Sequence, residues 1–268
     1  MSPPGCPATT SITARNMKRH PIRPWAVLFW LLAWQGAAMA LAAAFPHGEL
    51  LLASPVSALV RLASLAGTGA FWAAVGRSAA AILGGFVLSC VLAASLAALS
   101  ARFRAVGELL APLVAAVKAV PVVSFIILAL VWLDSDSLAL FISALMVFPP
   151  IYLNVLAGIG AADRQLLEMA RVFRVPFRRQ LWGIWLPAVL PYFRSAASLA
   201  LGLCWKAGVA AEVIGLPAGT VGERLYTAKV YFQTPDLFAW TAVIVAVSVA
   251  FEHLFLAAVD ALVRKVGR

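Results

Sequence analysis

The chain has 268 residues, of which 63% are apolar and 12% charged, with a mean hydropathy of +0.94. A soluble domain carries about 45–50% apolar and about 25% charged residues, so a water-soluble globule is excluded. Lys and Arg (21) exceed Asp and Glu (11) by a formal net charge of +10; in a chain this apolar the excess bears on membrane topology, and no nucleic-acid partner is expected.

At about 20 residues per span, six spans consume most of the chain and leave no room for a second folded domain. The expected fold class is all-α: a polytopic membrane protein with a polar tail over 1–24 and six transmembrane helices within a single domain over 25–268. The tail combines Pro3, Pro4, Pro21 and Pro24 with Arg15, Lys18, Arg19 and Arg23, a composition that cannot bury a core. The first span is expected over Trp25 to Phe45. Ala38-Met39-Ala40 within it also fits a signal-peptide cleavage site, but the apolar run exceeds the roughly 7–15 residues of a signal core, and a retained span is the favoured reading.

The second span is expected over Ser78 to Leu99, uncharged and carrying Gly84-Gly85, which permits close helix approach. The third runs from about Glu108 to Leu133 and contains Lys118 and Pro121. The fourth, Leu138 to Gly160, is bent by Pro149-Pro150. The fifth runs from Leu186 to about Leu203, and the sixth from Leu237 to about Leu262. Between the last two, Lys206 to Pro235 holds Glu212, Glu223 and Lys229 among several glycines, an irregular stretch that is tolerated at membrane depth only under protein or water.

Basic residues set the orientation, because Lys and Arg are retained on the cytoplasmic side. With the N-terminus inside, fourteen of the 21 fall in cytoplasmic segments: Arg15, Lys18, Arg19, Arg23, Arg102, Arg104, Arg164, Arg171, Arg174, Arg178, Arg179, Arg264, Lys265 and Arg268. Both termini are expected in the cytoplasm. Trp72, Trp132, Trp205 and Trp240 then fall near the outer span ends and Trp25, Trp182 and Trp185 near the inner ones, where interfacial indoles are favoured.

Residues 161–187 are the least membrane-like part of the middle of the chain. Leu166, Leu167, Ala170 and Phe173 recur at helical spacing, with Glu168, Arg171 and Arg174 turned elsewhere, which describes a short amphipathic helix ended by Pro176. Ile184-Trp185-Leu186-Pro187 follows, and Pro187 suits the first turn of the fifth span.

This loop resembles that of permease subunits of type I ATP-binding-cassette (ABC) importers, whose pattern is Glu-Ala-Ala, three residues, Gly, about nine residues, then Ile-x-Leu-Pro. Glu168, Ala170, Ile184, Leu186 and Pro187 match; Met169 replaces the second small residue, and Arg174 stands at the Gly position, with Pro176 expected to supply the turn in its stead. The resemblance covers about residues 75–265 and is closest to the nitrate, sulfonate and taurine group, through Lys118-Ala-Val-Pro121 and Ala210-Ala211-Glu212-Val213-Ile214-Gly215. It implies the MetI-like permease fold in the bacterial inner membrane, with 161–187 as a coupling loop, and Glu168, Ala170, Arg171 and Arg174 facing a separate ATPase. It further implies a second permease copy or homologue, an extracytoplasmic substrate-binding protein, membrane lipid around the spans, and a translocation pathway past Lys118, Pro121 and Glu212 for a small anionic solute.

Without a Gly-Lys dipeptide the chain has no phosphate-binding loop, so ATP and Mg are expected on the partner ATPase, with no cofactor in this chain. No catalytic or metal-binding constellation is expected: His20, His47 and His253 lie in three separate segments, and Cys6, Cys90 and Cys204 are scattered. The rival reading is a proton-coupled secondary transporter with Lys118, Glu252 and His253 as relay, in which Arg194 is structural or paired with Glu252. Solute identity is not legible; small heterocyclic vitamin precursors stand beside the anions.

Overall fold

The apolar stretches are helical in a computed structural model, which describes residues 23–46 and 50–266. Arg15, Lys18, Arg19, His20, Cys6, His47 and Arg268 lie outside the described residues. In chain order the helices are α1 (Pro24–Ala44), α2 (Pro55–Ala66), α3 (Gly69–Arg102), α4 (Arg104–Ala119), α5 (Val122–Ala129), α6 (Ser135–Gly160), α7 (Arg164–Val172), α8 (Phe177–Gln180), α9 (Leu186–Gly215), α10 (Val221–Val230) and α11 (Thr234–Val266). Five helical stretches are long and apolar enough to cross a membrane: α1, α3, α6, Phe177–Gly215 and α11.

The expected third span is the exception. Val120, forced out of the helical region by the following proline, is extended at φ −80° and ψ 133°, and α4 ends at Ala119. Pro121 then caps α5, and the two helices meet at 106°. The sixth apolar stretch is therefore a sharply bent pair of helices rather than one rod. Conversely, α6 runs unbroken through Pro149 and Pro150, and the fifth span extends to Gly215 rather than Leu203. The segment read as irregular from Lys206 is mostly helical: it finishes α9, turns over 216–220 and forms α10.

The centre is α6 packed between α3 and α9, with Ile82, Phe86, Val147, Ile151, Leu201 and Cys204 buried together. Alanines and glycines dominate the seams, because helices surrounded by lipid gain most from close van der Waals approach. Gly85 shows this most directly: a Cβ there would run into the backbone oxygen of Leu140 and lie 3.0 Å from the Ala144 nitrogen. Polar groups cross the same seams, as Ser143 Oγ donates to the Cys204 carbonyl at 3.2 Å and the Tyr152 hydroxyl to Ser100 Oγ at 2.9 Å. Trp205 and Trp240, expected at the membrane interface, are instead buried packing residues, 3% and 4% exposed; Trp25, Trp72, Trp132 and Trp182 are exposed as expected.

α11 is tied to α9 by the bidentate Arg194–Asp260 pair and by Ser198, whose hydroxyl donates to Glu252 Oε1 at 2.7 Å. At the opposite end of the bundle α2 is held by Arg61, bidentate on Asp236, and that carboxylate raises the Arg61 pKa further above its ordinary value.

The two glycines of Gly84-Gly85 should respond differently to a methyl group. At Gly84 the nearest atom is the flexible Leu140 Cδ1 at 3.5 Å, so Gly84→Ala should leave thermal unfolding of the detergent-purified protein within about 0.5 kcal/mol. Gly85→Ala must push α3 off α6 and should cost about 1–3 kcal/mol. Equal melting curves for the two variants would remove the account of this seam.

Candidate functional site

Three polar stations stand out on this bundle: the loop 161–187, a groove holding Lys118, and a buried carboxylate at the opposite end. The loop begins where α6 stops at Gly160, and Asp163 caps α7 by accepting from the Gln165 amide at 2.8 Å. Ala170 is 1% exposed and anchors the inner side of α7, with Leu167 half-buried beside it. Leu166, Met169, Val172 and Phe173 face outward, the last two 77% and 74% exposed. The sequence pattern had grouped Leu166 and Phe173 with Ala170; the structure divides them between two faces. Glu168, Arg171 and Arg174 are exposed, and none of them has an ion-pair partner among the described residues.

The turn after α7 is made by Arg174 itself, not by Pro176. Arg174 takes φ +48°, and the Val175 amide reaches back to the Ala170 carbonyl at 2.8 Å, the bond pattern of a Schellman cap. A left-handed geometry is thus adopted at the position where the resembled pattern has Gly, at a cost of about 1–2 kcal/mol for a residue with a Cβ. Pro176 instead starts α8.

From α8 the chain passes through a π-helical turn, Leu181–Trp185, straight into α9. Pro187 is the second residue of α9, in its first turn as expected, although the helical backbone runs into it from the π turn without a break. The missing amide and the bulk of its ring demand a local widening of the ladder, which the π turn just before it provides. Ile184 and Leu186 are half-buried there, and Pro187 is exposed. At about 1.5 Å per residue, the 39 residues Phe177–Gly215 make a rod of about 58 Å, well beyond the roughly 30 Å hydrocarbon core.

Lys118 lies about 21 Å along α4 from Arg104, in the last turn. It lines a groove of about 780 Å³ between the end of α3, α4 and α6, together with Ser100, Arg102, Arg104, Glu108 and Tyr152. Arg104 bonds Glu108 at 2.8 Å, which leaves Arg102 and Lys118 as uncompensated cations of the groove. The helix break at Pro121 follows directly, so the exposed Lys118 and an interrupted helix share one stretch of surface.

Glu212 was expected in an irregular outer segment and is instead on α9, 1% exposed. Its Oε2 accepts from Ser78 Oγ at 2.8 Å and from the Gly222 amide at 3.0 Å, while Ser78 Oγ accepts from the Val221 amide at 2.9 Å. One carboxylate thereby joins α9, α3 and the first turn of α10. Gly222 is packed on the Glu212 side chain so closely that no Cβ fits. Ser78, Arg77 and Asp136 around this carboxylate went unrecognised as functional in the sequence; the legible signal was Thr220-x-x-Glu223, a capping pattern that the structure realises at the start of α10.

The residues of the proton-relay reading are not brought together. Glu252 is engaged by Ser198, Arg194 pairs with Asp260 rather than Glu252, and neither Glu252 nor His253 lines the Lys118 groove.

Over residues 90–268 the chain matches the family model of the "Binding-protein-dependent transport system inner membrane component". It is 31% identical over 156 residues, 58% of this chain and 56% of the relative, to a putative aliphatic sulfonates transport permease protein of Bacillus subtilis. A riboflavin transport system permease protein of Chloroflexus aurantiacus is 27% identical over 86% of this chain and 85% of the relative. A bicarbonate transport system permease protein of Synechococcus elongatus is 27% identical over 62% of this chain and 59% of the relative. The match thus spans a little over half the length of the sulfonate and bicarbonate relatives.

Replacing Arg174 tests the left-handed cap. Arg174→Gly should slow amide exchange at Phe173 and Val175 by up to about tenfold, since about 1–2 kcal/mol of strain is relieved; Arg174→Val should accelerate it by a similar factor. Hydrogen exchange read by mass spectrometry in lipid nanodiscs makes the comparison, and faster exchange in the glycine variant would contradict the account.

Proposed function

The chain belongs to the family of binding-protein-dependent transport system inner membrane components, ABC importer permeases of the MetI-like fold, and from that premise we propose the following working arrangement. The protein is the pore-forming subunit of an ATP-driven importer, with both termini and residues 161–187 on the cytoplasmic side. It pairs with a second copy or a homologue, receives its solute from an extracytoplasmic binding protein, and takes its energy from ATPase subunits that hold ATP and Mg. The chain itself transports and performs no covalent chemistry.

The observation that carries this reading is the projecting α7. Its outward side offers Leu166, Met169, Val172 and Phe173 to solvent beside Glu168 and Arg171, an apolar stripe with a charged margin of the kind that closes against a protein partner. Ala170 anchors that knob, Arg174 fixes its exit, and Ile184, Leu186 and Pro187 join it to a stiff helix that runs the depth of the bundle. Displacement of α7 by a motor then moves α9 as a lever, which is what alternating access requires.

For the pathway, Lys118 supplies the argument. A lysine exposed at mid-crossing is costly against lipid, and broken backbone such as that at Pro121 is tolerated only under protein or water. That face of α4 and α5 therefore borders the lumen or the second permease. The positive charge of Arg102 and Lys118 along one groove favours an anionic solute. Sulfonate and bicarbonate relatives accord with it; the riboflavin relative covers more of the chain, so solute class rests on this groove rather than on relatives' names. Glu212 stands at the opposite end, holding α10 against the two central helices.

Glu168→Lys should uncouple ATP hydrolysis from uptake in proteoliposomes, because reversing one charge-assisted contact removes about 1.5–3 kcal/mol, at least about tenfold in coupled rate. Wild-type coupling in that variant would count against docking at α7. Lys118→Met should lower anion uptake about tenfold with complex assembly intact on size-exclusion chromatography; undiminished uptake would reject Lys118 as a pathway residue.

A further inference from the structure

Between α1 and α3 lies α2, a helix of 12 residues that belongs to no expected span. At about 18 Å it is too short to cross a hydrocarbon core of roughly 30 Å. Its residues fall into three sectors. Leu62, Leu65 and Ala66 pack inward on the cluster around Phe71 and Trp240. Val56, Leu59, Val60 and Ala63, spaced three and four apart, line up as one outward stripe; the first three are 60%, 63% and 66% exposed, and Ala63 is exposed with them. Ser57, Arg61 and Ser64 form a polar strip along the edge of that stripe. The strip's groups are already partnered, because Ser57 Oγ donates to the Ser54 carbonyl at 2.9 Å, Ser64 Oγ to the Arg61 carbonyl at 2.7 Å, and Arg61 holds Asp236.

Water gives no reason for so exposed an apolar stripe, and a hydrocarbon interior gives none for a hydroxyl strip and an ion pair beside it. A helix that carries both side by side fits the boundary between acyl chains and headgroups. The end of α2 points the same way. Its last carbonyl, that of Ala66, accepts from Trp72 Nε1 at 2.9 Å, and Trp72 is 62% exposed. An indole with its polar tip satisfied and its body uncovered suits a membrane interface. It also carries the surface of α2 onto α3, a helix long and apolar enough to cross. We propose that α2 is an interfacial helix whose partner is the lipid leaflet at the end of the bundle opposite the loop 161–187. The Val56–Leu59–Val60–Ala63 stripe sits in the acyl chains, and the Ser57–Arg61–Ser64 strip faces headgroups and water. Through Arg61 and Asp236, which lies in the first turn of α11, α2 moors that end of α11 to the leaflet. This goes beyond the transport reading and does not depend on it.

The test places a fluorescent amino acid, by amber suppression, at position 59 or at position 64 of the full-length permease, with one chain per lipid nanodisc. Two quenchers read the surroundings: phospholipid brominated on its acyl chains, and iodide in the water. The label replacing Leu59 should be quenched by bromolipid and be at least about threefold less sensitive to iodide than the label replacing Ser64. Melting curves verify that each labelled protein is folded, and Val60 offers the same stripe if position 59 does not tolerate the label. Equal iodide quenching at 59 and 64 puts the stripe in water and overturns the proposal. Bromolipid quenching of both positions alike, with iodide excluded, sinks α2 into the hydrocarbon and overturns the boundary placement. If neither quencher reaches position 59, protein covers the stripe and lipid is not its occupant. Loss of bromolipid quenching on assembly of the complete importer would likewise assign the stripe to a protein partner.

Discussion

In hydrocarbon no hydrophobic force draws one apolar helix to another, so α3, α6 and α9 are held by how closely their backbones approach. Gly85 lies against the backbone of α6, and alanines such as Ala93, Ala197 and Ala200 are fully buried in the same cluster. Everything else is carried by this triple. α11 reaches it through two polar links to α9, and α10 is fastened by the Glu212 carboxylate that bridges α9 and α3. The loop 161–187 connects α6 directly to the rod that ends in α9. A motion imposed on α7 therefore enters one of the two most extensive helix pairs among the described residues.

The force transmission proposed for this loop would also account for where the helical ladder departs from regularity. A left-handed turn at Arg174 and a π turn at Leu181–Trp185 are both local compromises, one sterically costly and the other weaker in hydrogen bonding. Both occur between α7 and the membrane-crossing part of α9, where a hinge is useful, while the interior of α6 stays helical even through Pro149 and Pro150. The chain places compliance at the joint and stiffness in the lever.

The sequence made much of this legible, for physical reasons that also mark its limits. Hydropathy located the five long apolar helices and the bent α4–α5 pair among the described residues, because twenty apolar residues have few alternatives in a chain of this composition. It could not show that Pro121 splits the third crossing while Pro149-Pro150 leaves the fourth intact, since that depends on which neighbours cover the freed backbone groups. The position of the loop followed from its charge and motif, but the side each residue faces did not: Phe173 satisfied the periodicity of the inner face and ended on the outer. Glu212 was found by resemblance, yet its role as a tie between three helices rests on Ser78 and Gly222, partners 134 and 10 residues away in sequence. Such contacts leave no local pattern.

Charge placement completes the physical picture. At one end of the bundle, Arg77, Asp136 and Glu212 combine both signs in a small space; in the larger groove between the end of α3, α4 and α6, Arg104 pairs with Glu108, and Arg102 and Lys118 have no ion pair among the described residues. An anion is repelled by the two carboxylates at the α10 end and drawn by the cations of the wider groove, so the electrostatic potential for an anion falls from the α10 end toward that groove. That gradient is shallow in an open, hydrated lumen and steep only when water is excluded. In the proposed arrangement direction then comes from which end is open at a given moment, the quantity that the α7–α9 lever would set.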